Sequence, residues 1–153
     1  MRSFSMKTAR IAVLTMVLGM TASTGALADY FCRQYYTPSW TYCPTTSYYF
    51  TTYYYQVAVA QPTYYYHYCI YYPAQPTYVY YYNPCTQVYW GRYKIGAKPN
   101  EAYSILDKKD RKKDLADIPE EAFPAPGPMP KIPGSDDGVA MLAPPENLPS
   151  DAK

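Results

Sequence analysis

The sequence predicts a small all-β protein: a disulfide-stapled, antiparallel, tyrosine-rich meander followed by a short helix and a proline-rich disordered tail. Three observations carry this expectation. Twenty-one of the 22 tyrosines fall between Tyr30 and Tyr93, among threonines and valines, residue types that suit a pleated, half-buried surface. Prolines punctuate that stretch into strand-length runs. All four cysteines lie inside it, behind a leader that predicts export to an oxidising compartment. The chain divides into a signal peptide (1–28), a Tyr/Cys-rich β region (29–93) and a charged, Pro-rich flexible tail (94–153).

The leader comes first. Arg2, Lys7 and Arg10 form a positive start, Ile11–Met20 is apolar, and Ala26-Leu27-Ala28 is the small-residue pattern of a cleavage site between Ala28 and Asp29. The apolar run is too short for a stable span of a roughly 30 Å hydrocarbon layer. The expected product is secreted, to the periplasm, the cell surface or the extracellular space, with no membrane span once the leader is removed. The formal charge of +2 belongs to the leader: without its three cations, 11 Lys and Arg stand against 12 Asp and Glu. No clustered basic surface remains to argue for nucleic acid, which demands many phosphate contacts.

Export sets the reading of Cys32, Cys43, Cys69 and Cys85, which are expected in two disulfides. Their intervals of 11, 26 and 16 lack the close pairs of a zinc ribbon, and His67 is the only histidine, so no metal or cofactor is expected. Candidate strands cover 47–59, 63–72, 77–82 and 86–93. They are separated by Ala60-Gln61-Pro62, Pro73-Ala74-Gln75-Pro76 and Asn83-Pro84-Cys85. Ala60-Gln61-Pro62-Thr63-Tyr64 recurs as Ala74-Gln75-Pro76-Thr77-Tyr78, an internal echo of one hairpin. In a meander, Cys69 would lie level with the end of the third strand, beside Cys85. That favours Cys69–Cys85 and Cys32–Cys43 among the three connectivities.

Alternation assigns faces. Tyr64, Tyr66, Tyr68, Ile70 and Tyr72 share one side of a strand, and Tyr65, His67, Cys69 and Tyr71 share the other. Tyr78, Tyr80 and Tyr82 likewise oppose Val79 and Tyr81. The aliphatics between Tyr30 and Tyr93 are only Val57, Val59, Ile70, Val79 and Val88, so any core must be built of rings whose hydroxyls need partners. With both faces aromatic, either a second layer packs, or copies associate, or rings stay in water; a loosely ordered aromatic coil is the alternative. Tyr64, Tyr66, Tyr68, Tyr72, Tyr78, Tyr80 and Tyr82 are the candidate aromatic interaction face.

No catalytic residue is expected. The aromatic region has almost no carboxylates for glycoside hydrolysis, and His67 has no free thiol to activate if the cysteines are bridged. Gly-x-Ser-x-Gly, phosphate-loop and HExxH patterns are absent from the sequence.

In the tail, Ser104 is a candidate cap for a short helix reaching Asp117. The run Lys108-Lys109-Asp110-Arg111-Lys112-Lys113-Asp114 reads as a solvated helix face, with docking of an anionic polymer as the alternative. Phe123–Pro133, with proline at nearly every second position, predicts polyproline II, and the residues beyond it predict disorder.

The leader, the segment ending in Val88-Tyr89-Trp90-Gly91-Arg92-Tyr93, and the tail Ile118-Pro119-Glu120-Glu121-Ala122-Phe123-Pro124 with Pro126-Gly127-Pro128-Met129-Pro130 together resemble short exported proteins of planctomycete-type bacteria. The resemblance implies a bacterial envelope or extracellular setting and carries over no functional residue. The expected function is a non-enzymatic structural or interaction protein of the envelope or matrix, self-associating or cross-linked through tyrosines. Its partners would be itself or other matrix proteins. The alternative is a small secreted module whose aromatic face recognises polysaccharide or a protein.

Overall fold

The structure, a computed structural model, describes residues 33–149. The signal peptide, the Ala28–Asp29 cleavage site and Cys32 lie outside the described residues, and so does the expected Cys32–Cys43 pairing. Seven strands form one antiparallel sheet: β1 (Gln34–Tyr36), β2 (Thr41–Cys43), β3 (Tyr48–Tyr55), β4 (Tyr65–Tyr71), β5 (Tyr78–Asn83), β6 (Val88–Lys94) and β7 (Tyr103–Ile105). From β3 to β7 the order in space is the order in sequence, while β1 and β2 both pair with the outer edge of β3. The four predicted strands correspond to β3–β6. The repeated Ala-Gln-Pro-Thr-Tyr segments are the loops that lead into β4 and β5.

Turn chemistry fixes two of the hairpins. Cys43 to Tyr48 and Asn83 to Val88 each enclose four residues with proline first and a left-handed residue last, Ser47 and Gln87. Proline presets the turn's φ. In the second loop the Asn83 side chain accepts from the backbone N–H groups of Cys85 and Thr86.

Alternation sorts the side chains as the sequence predicts. One face carries Tyr53, Tyr55, Cys69, Tyr71, Val79, Tyr81, Trp90 and Tyr103; the other carries Ile70, Tyr80 and Tyr89. Among the described residues no second sheet covers either face. The first is covered by the C-terminal tail, in which Ile132 and Met141 are fully buried. The second is partly covered by 106–123, through Leu106, Ile118 and Phe123. The segment expected to be a flexible tail is therefore the second layer of the molecule.

Hydrogen bonds explain why a proline-rich tail can lie on a sheet. The Gln34 side chain donates to the Ala140 carbonyl at 2.9 Å and accepts from Tyr53 and from the Leu142 N–H. The Tyr36 hydroxyl donates to the Leu142 carbonyl at 3.0 Å, and the Tyr81 hydroxyl donates to Tyr103 at 3.2 Å. Burial pushes the Tyr36 and Tyr81 phenols well up, so they stay protonated donors. The aromatic core thus satisfies its hydroxyls partly with tail carbonyls. On the other face, Arg92 is sandwiched between the Tyr78 and Phe123 rings at 3.9 and 4.0 Å and pairs with Glu120 at 2.7 Å. This fastens the 106–123 segment to β5 and β6.

Two sequence expectations are corrected. The helix from Ser104 to Asp117 is replaced by β7 and single 3-10 turns at Lys108–Asp110 and Leu115–Asp117. Ser104 pairs with Arg92 as a strand residue, and Leu106 is held beneath the sheet by its N–H bond to the Trp90 carbonyl. The Cys69–Cys85 bridge is not formed, and Cys43, Cys69 and Cys85 are all free thiols. Cys69 is fully buried opposite Tyr81, while Cys85 is exposed in the β5–β6 turn, four residues further on. At strand rise that is about 13 Å, beyond disulfide reach.

Candidate functional site

Two places stand out, one on each face. The first is a strip of tyrosine rings on the part of the second face that the 106–123 segment leaves bare. Tyr35 of β1 stacks on Tyr54 of β3 at 5.0 Å and meets Tyr64 edge-on at 5.5 Å. Tyr54 approaches Tyr66 at 6.0 Å, and Tyr66 approaches Tyr68 at 5.8 Å. Tyr35, Tyr64 and Tyr66 are 43%, 38% and 39% exposed, although each is in contact with at least one other ring of the strip. The candidate face divides here. Tyr64 and Tyr66 belong to the open strip, and Tyr68 joins the two parts, meeting Tyr66 while also packing with the covered cluster. Tyr72, Tyr78, Tyr80 and Tyr82 share the strip's side but pack with the covered cluster of Ile70, Tyr89 and Phe123.

No Asp, Glu, Lys or Arg stands between Arg33 and Arg92 in the sequence. The strip is therefore a neutral surface of ring faces and phenol hydroxyls.

The second place is a groove of about 730 Å³ at the corresponding end of the first face. Its aromatic lining is drawn from three strands: Tyr55, Tyr65 and His67 of β3 and β4, and Trp90 of β6. Tyr55 and Tyr65 stack at 6.0 Å, and the His67 ring lies 5.2 Å from Tyr55 and 5.4 Å from Trp90. Trp90 reaches this position through a β-bulge. Tyr81 pairs with Gly91 and Tyr82 with Tyr89, so Trp90 is the extra residue on β6. Gly91, next to it, lets β7 approach closely, and the Trp90 ring stacks on Tyr81 at 4.8 Å.

Burial, followed by the charge of Arg111, pushes the His67 imidazole down to about 4. It is neutral at physiological pH. Burial also pushes the Tyr55 phenol up to about 12, so it keeps its proton. The 3.2 Å contact between the Tyr55 hydroxyl and His67 Nε2 is assigned as Tyr55 donating, because imidazole nitrogen is the better acceptor. The remaining proton then sits on His67 Nδ1. Among the described residues neither that nitrogen nor Trp90 Nε1 has a hydrogen-bond partner, although both are buried.

Lys108, Arg111 and Lys131 stand around this aromatic lining, and among the described residues no carboxylate lines the groove. Arg111 donates through Nε to the Leu106 carbonyl at 3.2 Å, which orients its guanidinium. Lys131 lies 3.9 Å from Asp136, both well exposed. Sequence reasoning reads His67 as an ordinary strand residue and the lysine run as a helix face, and so misses the groove. One local signal was present: Gly91, a lone glycine inside a strand pattern, is the usual mark of a bulge.

Among the described residues no three His, Cys, Asp or Glu side chains cluster to hold a metal, and no helix is long and apolar enough to cross a membrane. No protein-family model, curated protein or solved structure matches this chain.

Proposed function

We propose that this chain is an exported, non-enzymatic binding module of the cell envelope or extracellular matrix, which holds neutral polysaccharide on its tyrosine strip. One observation carries the reading: Tyr35, Tyr54, Tyr64, Tyr66 and Tyr68 form a continuous run of rings, partly in water, on a face that the 106–123 segment covers only at its other end. Large exposed apolar patches mark interaction sites. Stacked rings bind the flat faces of sugars, and phenol hydroxyls match sugar hydroxyls. The lack of charge favours an uncharged ligand over an acidic or basic partner.

The test is affinity electrophoresis through gels containing soluble neutral glucan, mannan or galactan. The expected result is retardation in at least one gel, lost in a Tyr35→Ala, Tyr66→Ala double variant whose thermal melt is unchanged. Equal mobility in every gel would sink the reading.

A second copy of the chain is the competing occupant, favoured by the self-complementary, uncharged nature of the strip. Tyr35 and Tyr64, exposed and 5.5 Å apart, are the residues through which a peroxidase would cross-link such copies. Concentration-dependent sedimentation abolished by the same double variant would favour that reading.

A further inference from the structure

The groove on the first face has a different chemistry from the strip, and its assignment does not rest on the reading of the strip. We propose that the groove is a second binding site, for an anionic sugar unit: a pyranose ring carrying a carboxylate or an ester sulfate.

Three independent features converge on this chemistry. The aromatic lining offers ring faces, with Tyr65 47% exposed at the mouth and stacked on Tyr55. Lys108, Arg111 and Lys131 supply positive charge from two separate segments; exposed Asp136 stands 3.9 Å from Lys131 but outside the lining, and Lys108 and Arg111 have no carboxylate beside them in the lining. The third feature is polar. The buried nitrogens His67 Nδ1 and Trp90 Nε1 lack partners within the described chain. Leaving such groups unsatisfied is costly, and an oxygen-rich ligand is a natural source of acceptors.

The features also rank ligand classes. A neutral sugar would use the rings but leave the cations unanswered. A small inorganic anion would answer the cations but leave a groove of about 730 Å³ mostly empty. A ring bearing one anionic group uses both. The groove also gives the basic run of the tail its role. Of that run, Lys108 and Arg111 turn towards the aromatic lining, because the chain there is two short turns pinned under β6 and not a helix with an outward face.

The experiment uses Trp90 as reporter. The protein carries a Trp40→Phe change, which leaves Trp90 as the lone tryptophan. It is titrated with oligogalacturonate, chondroitin sulfate oligosaccharide, cello-oligosaccharide and oligo(dT) at low and moderate salt. The expected result is saturable fluorescence change with the uronate, the sulfated sugar or both, weakened by salt as screening requires. Comparison of those two arms identifies the anionic group. The cello-oligosaccharide should leave Trp90 unchanged. A Lys108→Gln, Arg111→Gln variant with an unaltered melt should bind at least tenfold more weakly, while Tyr66→Ala on the opposite face should bind as before. The proposal is overturned if neither acidic sugar binds, if cello-oligosaccharide or oligo(dT) binds as well as they do, or if the charge variant retains full affinity.

Discussion

The guanidinium of Arg33 pairs with the carboxylate of Asp137, 104 positions away in sequence. Around this pair the tail is locked to the start of the sheet. Arg33 also donates to the carbonyls of Gln56 and Val57 at 2.9 and 2.6 Å and to the Ser135 hydroxyl at 2.9 Å. The guanidinium is almost wholly buried, whereas Asp137 is 42% exposed. The carboxylate holds the guanidinium from outside, and the carbonyls hold it from within.

Arg33→Met should therefore destabilise the protein by about 2 kcal/mol, because it leaves buried acceptors without donors. Asp137→Asn should cost less, since the two carbonyls and Ser135 still hold the guanidinium. Urea denaturation of the three proteins at pH 7 measures this directly. An Arg33→Met midpoint equal to that of the parent would show that the tail is held by its apolar contacts alone.

Acid sensitivity should have two stages, separable by one substitution. The His67 imidazole is depressed from an ordinary 6.5 to about 4. Between those values the unfolded chain binds a proton that the folded chain does not. Stability is then complete above pH 6.5 and falls with pH, by about 3 kcal/mol at pH 4. The groups facing the ring, Tyr55, Trp90 and Arg111, add no opposing charge in that window. Asp137 and Glu120 are held below their usual range, Asp137 by Ser135 and Arg33 and Glu120 by Arg92. Their stabilisation is present above the ordinary carboxylate range and is lost only as pH falls through their depressed values. His67→Asn should flatten the profile between pH 6.5 and 4 and leave the lower limb. An unchanged slope in that variant would place the first stage elsewhere.

How much of this was legible depends on whether the signal was local. The strands β3–β6 were, because runs such as Tyr53-Tyr54-Tyr55 lie between prolines and alternate with the pleat. The short strands β1, β2 and β7 span too few residues for a period to show. The tail was not legible for a different reason. Ile132 is an isolated apolar residue between Lys131 and Pro133, and Met141 lies in a short run, Val139 to Ala143, without a strand or helix period, so only a ring-lined sheet face gives them somewhere to go. The open strip could be read as far as Tyr64, Tyr66 and Tyr68. That the same face is covered at Tyr72 and Tyr80 follows from Arg92 and Phe123 meeting across the chain. The groove gathers Tyr55, His67, Trp90, Arg111 and Lys131 from distant segments, and no sequence spacing announces such a set.

Gly91 offers a test of the bulge that positions Trp90. A β-carbon there would lie 3.0 Å from both the Ile105 side chain and the Ser104 carbonyl oxygen. The Ile105 methyl can move aside, but the carbonyl is part of the β6–β7 ladder and cannot. Gly91→Ala should cost about 2 kcal/mol as overpacking and should shift the Trp90 emission. If Gly91→Ala is as stable as the parent with the same emission, β7 is not held against β6 as described.

Thiol reactivity tests the placement of the cysteines. Cys69 is fully buried opposite Tyr81, and burial pushes its thiol well above the ordinary value, so both access and thiolate are lacking. Cys43 is the contrary case. Hydrogen bonds from Thr46 and Thr45 lower its thiol, and it lies near the surface. Cys85 is exposed in its turn. Iodoacetamide added to the folded, non-reduced protein should alkylate Cys43 and Cys85 within minutes and reach Cys69 only in urea, as read by peptide mass mapping. Protection of Cys69 follows from the register that pairs it with Tyr81, so early labelling there would contradict the strand assignment itself. Recovery of a Cys69–Cys85 peptide would do so more strongly, because that bridge requires β4 to slide by about four residues along β5. Such a slide would keep Cys69 on its own face, since four is an even number, but it would unmake the pairing of Ile70 with Tyr80 on the other.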